Sequence, residues 1–429
     1  MQNSQNNKTY ANMAVVDIYT TLGDTRLGNT TPSDGIGMIV APAMASSGTG
    51  GAAFALDTAY LITSVADLTA MGVTSGTGAM LLFQVEEYYA KAGSGSRVWV
   101  VGYAQAEYNT FISTKLESII SGTTASNFDL RPRMISFASP LPTSQDFTGT
   151  TEGKLPATHK TLIGNLQTVL NNLFQQSIRM VGIFDGVVCV PTGKTILTTD
   201  LSKLENLAAL KAPRVAYQVT TSTPGMSASV GRTLGMLSSL SLATSPGAVT
   251  TAGPAGDIDY FVDVTASDDP QEVNTPVSRL MPAKCNLLGK NQYLFTRVRP
   301  QLAGVYYNDG ATCNDPEMAL SEISFVRVGN AVCDSVERFF VKLLQENIPT
   351  DASTGAIDAG FKSGTLAQLD ETELTPRINR GEAQAINVDF AAKDGNYNMS
   401  KAIQVTVEVL PLSPLREAYI ETFFVTTLN

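Results

Sequence analysis

The sequence predicts a mixed α/β (α+β) chain of more than one domain, with extended strands near both ends. Three observations carry that expectation. Short apolar runs such as GMIVAPA at 37–43 and RVWVVGYA at 97–104 alternate with amphipathic stretches, the pattern of β–α–β units. Thr158–Gln175 and the region from Pro316 to Asn347 repeat apolar residues at helical spacing. From Lys401 the chain reads KAIQVTVEVL, with Ile403, Val405, Val407 and Val409 on one face and Gln404, Thr406 and Glu408 on the other, the period of a half-buried strand.

Taken in order, Met13–Thr21 (MAVVDIYTT) reads as a short strand on a Gly/Thr/Asn/Pro loop running from Leu22 to Gly35. Gly37–Ala43 and Tyr60–Ile62 follow as strands. Ser64 is placed to cap a helix with Asp67 at its third position and Gly72 as its stop. Gly78–Ala92 is expected to be helical, and the strand from Arg97 holds the one tryptophan, Trp99. Beyond it come a helix at Phe111–Ile120, a strand at Met134–Ala138, a Pro-rich loop at Ser139–Ala157 and the helix Thr158–Gln175. RMVGIFDG and VVCVP read as strands, Asp200–Leu210 as a short helix capped by Asp200, and Arg214–Thr221 as a strand. Ser227–Ser238 is a helix whose small residues Ala228, Gly231 and Gly235 permit close packing. Gly247–Asp259 looks like a boundary loop. QYLFTRVRP from Gln292 is a strand, and GVYYNDG at Gly304–Gly310 has hairpin character with NDG as the turn. Phe325, Val328, Val332, Val336, Phe339, Phe340 and Leu343 then mark the long helix, and Leu366–Leu374 a short one before the closing strands.

Composition bounds the function. Of 429 residues, 43% are hydrophobic and 16% charged, against about 25% charged in an ordinary globular chain. A net charge of −10 argues against broad binding to nucleic acid or anionic membranes. So low a charge fits a surface covered by copies of itself. The start, MQNSQNNKTY, has no signal-peptide pattern, and no run of about 18 apolar residues occurs. The four cysteines (Cys189, Cys285, Cys313, Cys333) are far apart without a CxxC pair, so reduced, buried thiols are expected, with a disulfide framework or zinc site as the alternative.

Chemistry-bearing patterns are sparse. PTGKT at Pro191–Thr195 ends like a phosphate-binding loop, but the loop needs a glycine five residues before Gly193, and that position is Val188. His159 is the single histidine and is expected to face solvent; it excludes schemes that need two imidazoles. GSGSR at Gly93–Arg97 precedes a strand, the wrong side for a dinucleotide loop. The acid pairs Glu86–Glu87, Asp268–Asp269 and Asp370–Glu371 are expected to be solvated surface groups. No catalytic, cofactor-binding or metal-ligating set emerges, so the chain is expected not to be an enzyme and to use no cofactor.

The order of segments resembles the contractile tail sheath proteins of bacteriophages and related injection machines, from Gly35 to Phe424. GIGMIVAPA followed by YLITSVADLTAMG is similar to the early strand, loop and helix of that family, and FQVEEYYAKAGSGSRVWVVGYA to its helix, glycine turn and strand. NQYLFTRVRP, FVRVGNAVCDSVERFF and IQVTVEVLPLSPLREAYIETFFV follow the family's closing order. The usual paired arginines at the long helix are reduced to Arg327 before Val328, and the aromatic-rich segment after it to LLQENIPTD.

The resemblance implies a multi-domain sheath-like fold: an arm and linker over 1–35, outer α/β domains over 36–285, an inner core over 286–410 with the helix 316–347, and a strand arm over 411–429. It further implies subunits that polymerise into a helical sheath of stacked hexameric rings around an inner tail tube protein. Contraction would drive that tube through an envelope without nucleotide. Baseplate and tail terminator proteins would be the other partners, with no direct nucleic-acid contact, no membrane insertion by this chain, and a place in the virion tail after assembly in the host cytoplasm. The arms would lend strands to neighbouring copies, through Val15, Val16, Ile18 and Tyr19 at one end and Tyr419, Ile420, Phe423, Phe424 and Val425 at the other, onto a sheet containing Ile403, Val405 and Val407. Arg327, Arg338 and Lys342 on the long helix are candidates to face the tube, their alternative being ordinary solvated charges. A static shell or surface-layer protein, an α/β enzyme and a tail-tube protein are the rival readings.

Overall fold

A six-stranded sheet organises the chain as far as Gln218. The computed structural model describes residues 16–17, 35–48, 53–127, 130–140, 154–265, 273–344 and 346–412. After β1 (Val16–Asp17) and β2 (Gly37–Pro42), the short β3 (Ser46–Ser47) and β4 (Ala53–Phe54) pair antiparallel. Next come β5 (Ala59–Ile62), α1 (Val65–Ala70), α2 (Ser75–Ala92) and β6 (Val98–Tyr103). α3 (Tyr108–Phe111) and α4 (Glu117–Ser126) run on from each other through a π-helical turn at Ile112–Leu116. β7 (Met134–Phe137), α5 (Ala157–Gln175), β8 (Val181–Asp185), β9 (Val188–Val190) and β10 (Val215–Gln218) complete this region. The spatial order is β10-β8-β7-β2-β6-β5, parallel throughout except for β5, which runs antiparallel to β6.

Every residue of β2, β6, β7, β8 and β10 is buried. A parallel sheet covered on both faces demands this, and it is why these strands read as continuous apolar runs. On one face lie α3, α4 and α5, through Phe111, Leu116, Leu166 and Leu170 among others. The other holds α1, α2 and α6 (Val230–Ser239), through Leu68, Val85 and Leu234. α1 starts where its capping signal says: Ser64 Oγ accepts the Asp67 amide at 3.3 Å, and Asp67 accepts the Ser64 amide at 3.0 Å.

Strand register lines up a stack of rings. Phe137 pairs with Phe184, and Phe184 with Tyr217, so their rings stack at 5.5 and 6.1 Å, with Tyr103 on Phe137 at 5.4 Å. His159 belongs to this core rather than to solvent. It is 1% exposed, and its Nδ1 sits 2.8 Å from Tyr217 Oη. The correction has a physical cause: His159 lies on the same apolar face of α5 as Leu162, Ile163 and Leu166.

The 188–321 stretch elaborates the same body. β9 pairs with β13 (Asp263–Thr265), and β11 (Thr220–Thr221) with β12 (Tyr260–Phe261). α7 (Val249–Ala252) sits within the expected boundary loop, where Ala255 and Ile258 are fully buried. After α8 (Pro282–Lys290), β14 (Thr296–Val298) pairs with β15 (Val305–Tyr307). The hairpin connection is therefore 299–304, and the NDG sequence follows β15 instead of turning it. Asp200–Leu210 forms two 3-10 turns, with Asp200 capping the first. All four cysteines are buried free thiols.

α9 (Ile323–Val341) begins seven residues later than its periodicity suggests. Glu322 is held in an antiparallel bridge with Ala311, and extended pairing there is incompatible with helix. Its first turn packs with the sheet body through Ile323 and Val326, while Val328, Val332, Val336 and Phe340 pack in a separate apolar cluster. That cluster also holds Leu369 of α10 (Ala359–Leu369), Leu374 just before α11 (Thr375–Asn379), Phe390 of β16 (Ala383–Ala392) and Val407 of β17 (Ile403–Pro411), the last two strands being joined through α12 (Tyr397–Ser400).

Candidate functional site: the terminal-strand sheet and its ionic joint

β17 is the middle strand of a three-stranded sheet ordered β1-β17-β16. It pairs antiparallel with β16 from Ala392–Ile403 to Ala383–Pro411, with a register irregularity between Ala383 and Ala385. On its other side, Val16 faces Val407 and Asp17 faces Thr406, also antiparallel. Alternation along β17 buries Val405 and Val407 against the α9 cluster, with Ile403 packed at its margin. β16 alternates likewise, burying Val388, Phe390 and Ala392 while Asn387, Asp389 and Ala391 face outward. The order of the sheet leaves the far side of β16 as an edge among the described residues.

Of the expected arm residues, only Val16 lies within the described residues, and it pairs with the strand the sequence named as acceptor. Val15, Ile18, Tyr19, Tyr419, Ile420, Phe423, Phe424 and Val425 lie outside them. β16 was not foreseen. Its AQAINVDFAA is rich in Ala, Asn and Asp, weak strand formers, although Ile386, Val388 and Phe390 recur at period two.

Beneath this sheet, α9 is fastened to the first body by buried charge. Arg131 and Arg133 precede β7, Arg179 precedes β8 and Arg214 precedes β10, so the amino ends of three neighbouring strands aim guanidinium groups at one helix face. Asp334 receives Arg133, Arg179 at 2.5 Å and Arg131 at 3.3 Å; Glu337, one turn on, receives Arg179 at 2.5 Å. Asn330 Oδ1 accepts Arg214 Nη1 at 2.8 Å. Burial pushes the Asp334 carboxyl up, but Arg133, Arg179 and Arg131 outweigh it and hold it at about 2. Burial pulls Arg131 and Arg214 down, each to about 10. The sequence carries the signal in RPRMISF, IRMVGIF and PRVAYQV, where an arginine precedes each apolar strand, but only the sheet order shows that the three meet one helix face.

The three helix cations part ways. Arg327 is 4% exposed and donates to the carbonyls of Leu237 at 2.9 Å and Leu240 at 3.2 Å, capping the carboxyl end of α6. It is an internal tie and not a surface charge. Arg338 is half-buried and donates to Glu373 at 2.8 Å. Lys342 is exposed.

Other candidate chemistry resolves into structure. Pro191–Thr195 is a turn with Gly193 at φ +74°. Glu87 is buried, paired with Arg232 at 2.8 Å, which corrects its surface assignment; α6 covers it. Glu86, Asp370 and Glu371 are exposed, and Asp268–Asp269 lies outside the described residues. A cleft of about 750 Å³ at the carboxyl ends of β2 and β6, reached by Met44, Thr77, Gln105 and Met226, has no ionisable side chain in its lining. Asp185 ends β8 fully buried, accepting the Ser139 amide at 2.8 Å and its hydroxyl at 2.7 Å; burial raises its carboxyl to about 7. A folded-state value above the unfolded one means its contribution is complete below about pH 4 and is lost as pH rises through 7. Asp185→Asn is therefore expected to flatten the fall in stability between pH 4 and 7, read by denaturant midpoints across that range. An unchanged slope would contradict the assignment.

No curated protein matches the chain in sequence. In three dimensions it is similar to a chain of the anti-feeding prophage baseplate solved by cryo-electron microscopy, with a TM-score of 0.56 and 10% identity over 95% of this chain and 99% of that one. The sheath tail protein Lin1278 of Listeria innocua aligns at TM-score 0.48 and 10% identity over 90% and 93%. The sheath tail protein DSY3957 of Desulfitobacterium hafniense aligns at 0.43 and 8% over 86% and 95%. At such identity the first likeness is one of fold, and it spans both the sheet body and the terminal-strand sheet. The family model described as "DUF2586, N-terminal domain" matches residues 16–311, from β1 through the body to the end of β15 and beyond, and the chain belongs to that family.

Proposed function

We propose that this chain is the structural subunit of a contractile tail sheath, a non-enzymatic protein that polymerises around an inner tube. The observation that carries the reading is the pairing of Val16–Asp17 with β17. A two-residue strand, separated by residues 18–34 from the body it serves, is added to the edge of a sheet made by the far end of the chain. Such a strand addition is held by backbone hydrogen bonds, and those bonds form equally well when the added strand comes from another copy. The fold shared with a prophage baseplate component supports the same reading.

In the polymer, β1 of one copy occupies the β17 edge of a neighbour, and the segment after Leu412 takes the β16 edge of another. Each subunit moves as one rigid body between lattice states, its body and α9 held together by the buried ionic joint, with Leu22–Gly35 and Pro411–Pro414 as the hinges of its arms. Lys342 and Arg338 are the helix charges available to the tube; Arg327 is committed within the subunit. A head-to-tail contact of this kind does not close, so it builds a helical tube.

Removing residues 1–17, or separately 413–429, is expected to leave folded subunits that sediment as small species where the full chain sediments as large assemblies. Full-size assemblies from both truncations would overturn strand exchange as the linkage.

A further inference from the structure

An apolar pocket opens beside β17 on the side where β1 adds. Phe325, Gly329 and Cys333, one turn apart along α9, form one wall, and Val407, Val409 and Pro411 of β17 form another. Among the described residues, none of β16 lines it, although β16 covers the opposite edge of β17, so the pocket belongs to the edge that receives Val16–Asp17. Its volume is about 30 Å³ and no charged side chain lines it. That is room on the order of two water-sized spheres, or one small aliphatic group. Gly329 sits in the middle of α9, where glycine is a poorer helix former than alanine, and a Cβ there would meet nothing within 4 Å. The glycine therefore serves no packing among the described residues, and its missing side chain leaves the pocket open.

The register of β1 points to what reaches this pocket. Val16 lies opposite Val407 and Asp17 opposite Thr406, antiparallel, so the chain before Val16 is directed past Val409 towards Pro411. Residues two apart on a strand share a face, which in the same register sets Ala14 opposite Val409. We propose that residues 12–15 extend β1 along β17 and seat Ala14 in the pocket over Gly329, a contact that fixes the register of the added strand. A slip of one residue would put Ala14 on the other face, and a slip of two would bring the polar Asn12 or the larger Val16 over the glycine. Backbone pairing holds an added strand whatever its sequence, and a pocket for one alternate side chain supplies the selectivity. The inference rests on the strand-addition reading above and names the residue that reading must seat.

The test is disulfide cross-linking in the full chain. Ala14→Cys combined with Gly329→Cys is expected to link under mild oxidation, with the linked peptide identified by mass spectrometry. Val15→Cys with Gly329→Cys, on the opposite face, is expected not to link. A ladder of joined chains on a non-reducing gel supports the pocket and strand exchange together. Linked single chains support the pocket and count against exchange between copies. No linkage from position 14, or linkage from Phe423→Cys in its place, would overturn the proposal, the second result giving the pocket to the tail. Gly329→Leu, which fills the pocket, is expected to fold and to speed hydrogen exchange of amides 12–16 roughly tenfold. Unchanged exchange there would overturn the proposal whatever assembly the full chain builds.

Discussion

Asp334→Ala is expected to destabilise the protein by about 3–5 kcal/mol, because it removes from the buried guanidinium groups of Arg131, Arg133 and Arg179 the one carboxylate that all three share among the described residues. The loss is that of an uncompensated charge and not of a surface ion pair, whose worth is commonly below about 1 kcal/mol. Chemical denaturation at pH 7 checks the magnitude. The pH dependence checks the cause. Asp334 is held at about 2 in the folded protein, below its ordinary 3.8. Its stabilising contribution is therefore present above about pH 4 and lost as pH falls through 2. The variant should accordingly lose least at the acid end of that range. A loss under 1 kcal/mol at pH 7 would show that the joint tolerates its arginines unpaired.

The second large effect lies at the contact of α2 with α6. A Cβ on Gly231 would come within 2.0 Å of the Gln84 carbonyl oxygen, and one on Gly235 within 2.3 Å of the Tyr88 oxygen. The two helix backbones therefore touch, and the contact is keyed by polar bonds: Gln84 Oε1 accepts the Gly231 amide at 2.7 Å, and Gln84 Nε2 reaches the Ala228 carbonyl at 2.9 Å. In an exposed helix, Gly→Ala stabilises by about 1 kcal/mol through propensity alone. Gly231→Ala is expected to do the reverse here, costing roughly 3 kcal/mol as the helices are pushed apart and the Gln84 bonds stretch. The opposite signs make the outcome decisive: a gain in denaturant midpoint would mean that the helices separate freely.

What was legible in the sequence follows from how far each signal acts. The buried parallel strands, the Ser64 cap and the small-residue face of α6 declare themselves locally, and each stands where it was expected. β17 was legible by its alternation, while the sequence had the Met13–Thr21 arm reaching a neighbouring copy, and the pairing of Val16–Asp17 with β17 lies within one chain. The start of α9 was not, since a bridge between Ala311 and Glu322 overrides a helical apolar period. His159 and Glu87 were misplaced because burial depends on which helix covers a residue, information carried by α5 packing and by Arg232, a residue 145 positions from Glu87. The ionic joint escaped for the same reason: its arginines are spread over three strands that only the sheet order brings side by side.

The central claim is that this subunit assembles by lending strands to its own copies. Electron microscopy of the purified full chain in negative stain, at high concentration and across salt conditions, tests it most directly. The account predicts long hollow helical tubes whose wall is one subunit thick. Discrete small particles under every condition would contradict it, and Val16–Asp17 would then be a strand that serves only its own sheet.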